Sequence, residues 1–215
     1  PLPAALSTRQ AMIIGTAGFT AMLCVQALAD QHITPERGEI LVTGASGGVG
    51  SVAITLLNKL GYRVAAVTGR PEQNGDLLRS LGATRIIERA ELAQPAKPLE
   101  STRWAGAVDT VGSQILAKVL AQTEYDGAVA ACGLAGGMDL PTTVMPFILR
   151  NVKLIGVDSV YCPYEKRVAA WQKVAELLPE SYYAAASNEI ALEAVPEAAA
   201  QIIRGEITGR TLVKL

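Results

Sequence analysis

The segment Thr43-Gly44-Ala45-Ser46-Gly47-Gly48-Val49-Gly50 concentrates glycine in a short stretch. Glycine lets the backbone approach a bulky anion closely, and free peptide N–H groups at a helix start, with the helix dipole, stabilise negative charge. The apolar run Ile40-Leu41-Val42-Thr43 precedes it and a helical pattern from Val49 to Leu60 follows, so the order strand, glycine turn, helix is predicted. In that setting the turn is a cradle for the pyrophosphate of a dinucleotide; the competing reading is a tight structural turn. A nucleoside-triphosphate loop is excluded, because no Gly-Lys-Ser/Thr closes the turn.

The choice of nucleotide falls to the end of the next strand, which faces the adenosine ribose. An acidic residue there hydrogen-bonds a free 2′-hydroxyl, and a basic one accepts a 2′-phosphate. The strand Arg63 to Val67 runs into Thr68-Gly69-Arg70, with no Asp or Glu at that spot. Arg70 offers a permanently charged planar fork suited to phosphate. NADPH is therefore expected over NADH, and S-adenosylmethionine is disfavoured. The alternative is that Arg70 is a solvated surface residue.

The elements that must position these residues form an alternating series. Ser7 and Gln10 have the spacing of a capping box, so a helix starts near Thr8, and a second helical pattern runs from Thr16 to Asp30 before the turn at Pro35–Gly38. After the first strand–helix–strand unit come a helix over 76–81, strands at 85–87 and 106–109, a helix over 115–120 and a strand at 128–131. A strand over 152–157, a helix from Pro163 toward Leu178, a strand near 189–190, a helix over 197–203 and a strand at 211–213 complete the chain. Strands without polar alternation must be covered on both faces, so the fold class is α/β: a doubly wound parallel sheet of Rossmann type.

Composition narrows the function classes. Half of the 215 residues are hydrophobic and the formal net charge is −1, so no broad basic face for nucleic acid or an anionic membrane is expected. No uninterrupted apolar stretch approaches the roughly 18 residues of a membrane span, so no membrane partner is expected. Cys24, Cys132 and Cys162 are odd in number and form no Cys-x-x-Cys pair, which argues against a disulfide framework or zinc knot and fits a reducing cytoplasm. The opening Pro1-Leu2-Pro3, without an initiator Met, reads as a chain entered partway, and a fragment is expected.

The glycine turn also matches the Thr-Gly-x-x-x-Gly-x-Gly pattern of short-chain dehydrogenases, but none of the six tyrosines has the Lys four residues on that those enzymes use. Instead the chain resembles the quinone-oxidoreductase-like branch of the medium-chain dehydrogenase/reductase superfamily, specifically its NADPH-dependent acrylyl-CoA reductases. The resemblance rests on Ala11 to Ala21, Thr43 to Gly50, Ser80-Leu81-Gly82-Ala83, Trp104-Ala105-Gly106, Asp109-Thr110-Val111-Gly112, Ala131 to Gly137, Leu140 to Arg150, Gly156-Val157-Asp158-Ser159 and Gly209 to Val213. It implies zinc-independent reduction of an α,β-unsaturated acyl-CoA, acrylyl-CoA being the expected substrate. It also implies a GroES-like catalytic domain, mostly β, that this sequence lacks. Residues 1–158 are then the NADPH-binding domain, and 159–215 a return segment that completes the second, mostly β domain.

By this resemblance Ser46, Gly47, Gly48 and Val49 hold the pyrophosphate, and Thr68, Gly69 and Arg70 the 2′-phosphate. Arg89 is a second phosphate or adenine contact, or else a solvated Arg beside Glu88 and Glu91. Leu134, Ile148 and Ser159 are expected near the nicotinamide, with core packing the alternative for Leu134 and Ile148. Hydride passes directly from cofactor to the β-carbon, so the protein chiefly positions the two. No proton donor is named: His32 lies in a polar turn, Asp109 and Asp158 end strands where such residues orient backbone, and no metal site is expected. The strand over 152–157 becomes the sheet edge, which the resemblance pairs across a homodimer axis. The alternatives are a broader quinone or enone reductase and a non-catalytic NADPH-binding module.

Overall fold

The computed structural model describes residues 2–215. Six parallel strands form one sheet in the order β3-β2-β1-β4-β5-β6. They are β1 (Glu39–Val42), β2 (Arg63–Thr68), β3 (Arg85–Glu88), β4 (Trp104–Asp109), β5 (Thr123–Ala131) and β6 (Lys153–Gly156). The sequence steps outward from β1 to β3 and then returns to β4 on the other side of β1. That reversal opens a crevice at the carboxyl ends of β1 and β4.

Both faces of the sheet are buried, as the apolar strands require. Ile40, Val42, Val64 and Ala66 point into one core, and Leu41, Ala65 and Val67 into the other. The first core is covered by α1 (Thr8–Asp30), α2 (Gly48–Lys59), α3 (Pro71–Ser80) and α7 (Tyr164–Leu177). The second is covered by α4 (Arg89–Leu92), α5 (Ser113–Gln122) and α6 (Met145–Arg150). Residues well beyond the last sheet strand belong to the first core: Ala170, Val174, Leu178, Tyr182 and Tyr183 are buried there, and Trp171 stacks on Phe19 with ring centroids 6.4 Å apart. Beyond α8 (Glu180–Ala185), β7 (Ser187–Ala191) and β8 (Arg210–Lys214) form a separate two-stranded parallel sheet joined by α9 (Val195–Ile203), which buries none of its side chains.

The two expected N-terminal helical patterns lie in one element, interrupted at Gly15, where φ is 49° and ψ −156°. The Ser7–Gln10 capping box is present in both directions. One expectation needs correction: α1 is long and apolar enough, by length and composition, to cross a membrane. Its most apolar window is 67% buried inside the fold, against α2, α7 and the sheet, and the Gly15 break divides it, so here it serves as a core helix. The strand expected at 128–131 begins earlier, at Thr123, and the short helices α4, α6 and α8 were not legible from periodicity because each spans under two turns.

Candidate functional site

Thr43 follows β1 and is fully buried, and its hydroxyl organises the crevice. It donates to Asp109 Oδ1 at 2.7 Å and accepts from the Thr110 amide at 3.0 Å. Thr110 Oγ1 donates to the Thr43 carbonyl at 3.0 Å, and Asp109 Oδ2 accepts from the Gly112 amide at 2.8 Å. The ends of β1 and β4 are thereby fixed to one another, which holds Thr110–Ser113 as one wall. Asp109 works here as a backbone organiser. Burial pushes its carboxyl above the usual range, while bonds from Thr43 and the amides of Gly112 and Val111 oppose that shift.

The glycine turn is close-packed for identifiable reasons. Gly44 has φ +58°, and a Cβ there would stand 2.2 Å from Thr110 Oγ1. A Cβ on Gly50 would lie 2.4 Å from the Gly44 carbonyl oxygen. Helix α2 thus begins directly against the turn. Its N-cap is Gly47, with no side-chain capping bond, so no side chain satisfies the first amides of this twelve-residue helix. Such an end attracts an anion.

A cleft of about 700 Å³ opens from this turn along the carboxyl edge of the sheet. Ser46 and Gly47 line it from the first turn, Thr68, Gly69 and Arg70 from the end of β2, and Arg89 from α4. Thr110 to Ile115 and Ala135–Gly136 form the opposite wall. The guanidinium of Arg89 lies against Gly69, 3.0 Å from where a Cβ would stand, so two guanidiniums, Arg70 and Arg89, border the same end.

The other expected residues lie outside that lining. Gly48 and Val49 open α2 on its far side: Gly48 faces the Arg210 guanidinium, and Val49 packs half-buried on the first core. Leu134 is 64% exposed, directly before Ala135 and Gly136. Ile148 is 71% exposed on α6, so neither it nor Leu134 is a core residue. Ser159 is half-buried, and its carbonyl accepts from Arg167 at 3.1 Å.

Sequence reasoning missed Arg204, Gly205 and Ile207, which complete the cleft beside Arg70, and Thr110 to Ser113. The string Asp109-Thr110-Val111-Gly112, lying after a strand at the switch point, was a usable signal for the latter. It also missed Arg210, whose Nε donates to the Ile13 carbonyl at 2.8 Å and whose guanidinium stands at the start of α2.

The cysteines, distant in sequence, are free thiols, and two of them meet. The neighbouring Cys132 thiol and burial push the Cys24 thiol well up, and the Cys132 thiol donates to the Asp109 carbonyl at 3.5 Å. Another concavity, about 730 Å³, lies at the amino-terminal end of β4. Within it Lys118 pairs with Glu100 at 2.8 Å, Arg150 donates to the carbonyls of Ala121, Thr123 and Glu100, and Arg103 lies over the Trp104 ring.

Residues 48–179, well over half of the chain, match the family described as zinc-binding dehydrogenase. The chain belongs to that family. It is 61% identical over 214 residues to the "Probable acrylyl-CoA reductase AcuI" of Escherichia coli K12, a match covering all of this chain and 65% of that protein. The yhdH oxidoreductase of Salmonella enterica, solved in complex with NADP, superposes with a TM-score of 0.97 at 62% identity, again over 100% of this chain and 65% of that one. The Bacillus subtilis protein yhfP, solved with NAD bound, gives a TM-score of 0.94 at 46% identity over 100% and 66% of the two chains. The chain therefore spans just under two thirds of the length of these relatives. The zinc of the family's description finds no matching donor set here: among the described residues, no three His, Cys, Asp or Glu side chains cluster to hold a metal ion.

Proposed function

We propose that this chain is the cofactor-binding part of an NADPH-dependent, zinc-independent oxidoreductase that reduces the double bond of an α,β-unsaturated acyl-CoA, acrylyl-CoA to propionyl-CoA. The observation that carries the cofactor is the pair of guanidiniums, Arg70 and Arg89, bordering the cleft at the end of β2, in a lining that contains no Asp or Glu to receive a ribose 2′-hydroxyl. The relative named as an acrylyl-CoA reductase and the one solved with NADP support the reading.

When bound, NADPH supplies the hydride for the substrate β-carbon. The chain's own residues bind and orient. The amides after Gly47 and the Ser46–Gly47 backbone take the pyrophosphate, with Gly48 and Val49 opening the helix whose dipole favours it, and Arg210 standing nearby as a cation. Thr68, Gly69 and Arg70 take the 2′-phosphate with Arg89. Thr110 to Ser113, held by Asp109, and the segment around Leu134 address the nicotinamide end, with Ile148 and Ser159 on the neighbouring segments. The donor that protonates the α-carbon is assigned to the GroES-like domain, outside this sequence.

Residues 1–158 are proposed as the cofactor domain; of 159–215, α7 and α8 pack on its first core, so the part proposed to return to the second domain is β7, α9 and β8. Leu192, Ile202, Ile203, Val213 and Leu215, all exposed on or beside β7, α9 and β8, suit burial beneath that domain. Among the described residues, strand β6 pairs only with β5, which leaves an edge suited to a homodimer axis. Light scattering should give twice the chain mass, and a monomeric mass rejects the dimer. Three free thiols accord with a reducing cytoplasm.

The decisive experiment compares Kd values for NADPH and NADH in the parent protein and in Arg70→Ala. The parent should prefer NADPH. The variant should lose about 10- to 100-fold in NADPH affinity, as expected for charge-assisted phosphate bonds, with NADH unchanged within about twofold. Equal affinity of the parent for both cofactors rejects the reading. NADPH oxidation driven by a quinone but not by acrylyl-CoA would favour the quinone-reductase alternative.

A further inference from the structure

The C-terminal residues just before β8 cross the adenosine end of the cleft and are tied to both of its turns. The Gly209 amide donates to the Ser46 carbonyl at 2.9 Å. From the other turn, Arg70 Nη1 donates to the Glu206 carbonyl at 2.6 Å, and Nη2 donates to the Ile207 carbonyl at 3.2 Å and Thr208 Oγ1 at 3.3 Å. The Thr208 hydroxyl in turn donates to Asn74 Oδ1 at 3.0 Å. Asn74 is only 3% exposed, and its Nδ2 reaches Thr68 Oγ1 at 3.5 Å, the same oxygen that accepts from the Arg70 amide at 3.2 Å. Thr68, Asn74, Thr208 and Arg70 thus close a ring of polar contacts around one guanidinium.

We propose that residues 206–208 are a specificity-determining strap for the phosphate monoester of the cofactor, with Thr208 and Asn74 as positioning residues for Arg70. This rests on the NADPH reading above and names what makes its cation selective. An arginine side chain has many rotamers, and fixing one on ligand binding costs free energy. Here the strap carbonyls and the Thr208 hydroxyl hold the guanidinium in place beforehand. Three of its five N–H donors are committed to the strap, which leaves two for a phosphate. Carbonyls accept from the guanidinium without forming an ion pair with it, and the one carboxylate on the strap, Glu206, is bonded to Arg204 at 2.9 Å. The strap lies more than 130 residues from Arg70 in sequence, so the second phosphate-binding turn is completed by the far end of the chain.

The test uses 2′,5′-ADP and 5′-AMP, which differ only in the 2′-phosphate, measured by titration calorimetry on the intact protein and on Thr208→Val and Thr208→Ser. The parent should bind 2′,5′-ADP more tightly than 5′-AMP. Thr208→Val, which keeps the shape and removes the hydroxyl, should weaken 2′,5′-ADP about three- to tenfold and leave 5′-AMP within about twofold. Thr208→Ser should restore the parent ratio. If Thr208→Val lowers Tm but leaves the ratio intact, or weakens both ligands equally, the strap is only structural and the proposal falls. Tighter 2′,5′-ADP binding by Thr208→Val would mean that the strap competes with the phosphate, which also overturns it. Equal binding of the two ligands by the parent instead refutes the NADPH reading itself, separately from the strap.

Discussion

Gly50→Ala is expected to destabilise the protein by about 3 kcal/mol and to abolish measurable dinucleotide binding. The added methyl would meet backbone on three counts: the Gly44 oxygen at 2.4 Å, the Ala45 Cα at 2.7 Å and the Ala45 oxygen at 2.9 Å. No rotamer relieves such a clash, because none of these atoms belongs to a flexible side chain. Helix α2 would have to withdraw from the β1 turn, which strains the buried residues that follow it, Ser51 to Leu57. The same withdrawal moves the uncapped amides at the start of α2, which are proposed to meet the pyrophosphate. Thermal unfolding should show Tm lowered by about 6–12 °C, the shift that such a loss produces in a chain of this size. Gly75→Ala is the control, because its Cβ would meet only the mobile end of Arg79 at 3.1 Å. A Gly50→Ala protein with parent Tm and parent NADPH affinity would show that the turn has slack the geometry denies.

Asp109→Ala should cost about 3 kcal/mol, because it removes the acceptor for two donors, the Thr43 hydroxyl and the Gly112 amide, inside the fold. The wall formed by Thr110 to Ser113 loses its anchor, so cofactor affinity should fall with stability. Asp109→Asn separates charge from hydrogen bonding. Burial raises the Asp109 pKa in the folded protein above its unfolded value, so the folded state holds the proton more tightly. An acid shifted upward weighs against folding when ionised, and that penalty disappears as pH falls through the folded pKa toward about 3.9. Stability of the parent relative to Asp109→Asn should therefore rise as pH is lowered from neutral through this window and flatten below it. Urea unfolding at several pH values measures the difference directly. A difference that falls on acidification would assign the opposite sign to the shift and refute burial as its dominant cause.

How much of this was legible beforehand differs from element to element. The runs at 40–42 and 64–67 are apolar without alternation, which only a doubly covered strand explains, and both lie inside the parallel sheet with a strand on either side. The glycine turn was legible because glycine at this density between a strand and a helix has few other uses. That Arg70 and Arg89 line the cleft was legible because each lies just past a strand end, at the carboxyl edge of the parallel sheet. Leu134 and Ile148 were harder. Their apolar character is compatible with core, with cofactor contact and with a covered surface, and only the fold showed them exposed. The Cys24–Cys132 contact and the Arg210 approach to α2 join residues over 100 positions apart, and no local pattern encodes them.

The sequence by itself determined the chemistry that depends on neighbours along the chain: the strand–turn–helix that exposes backbone amides, the basic strand end, and the apolar periodicity that demands two helical layers. Those features are local, set by backbone freedom and side-chain type within a few residues. The tertiary structure alone decided how the cleft is closed. It brought Asp109 to Thr43, placed α1 in the core although its composition would suit a membrane, and laid residues 206–208 across Arg70. The physical reason is that such contacts follow from strand order and from chain return, and a guanidinium records neither in its own neighbourhood.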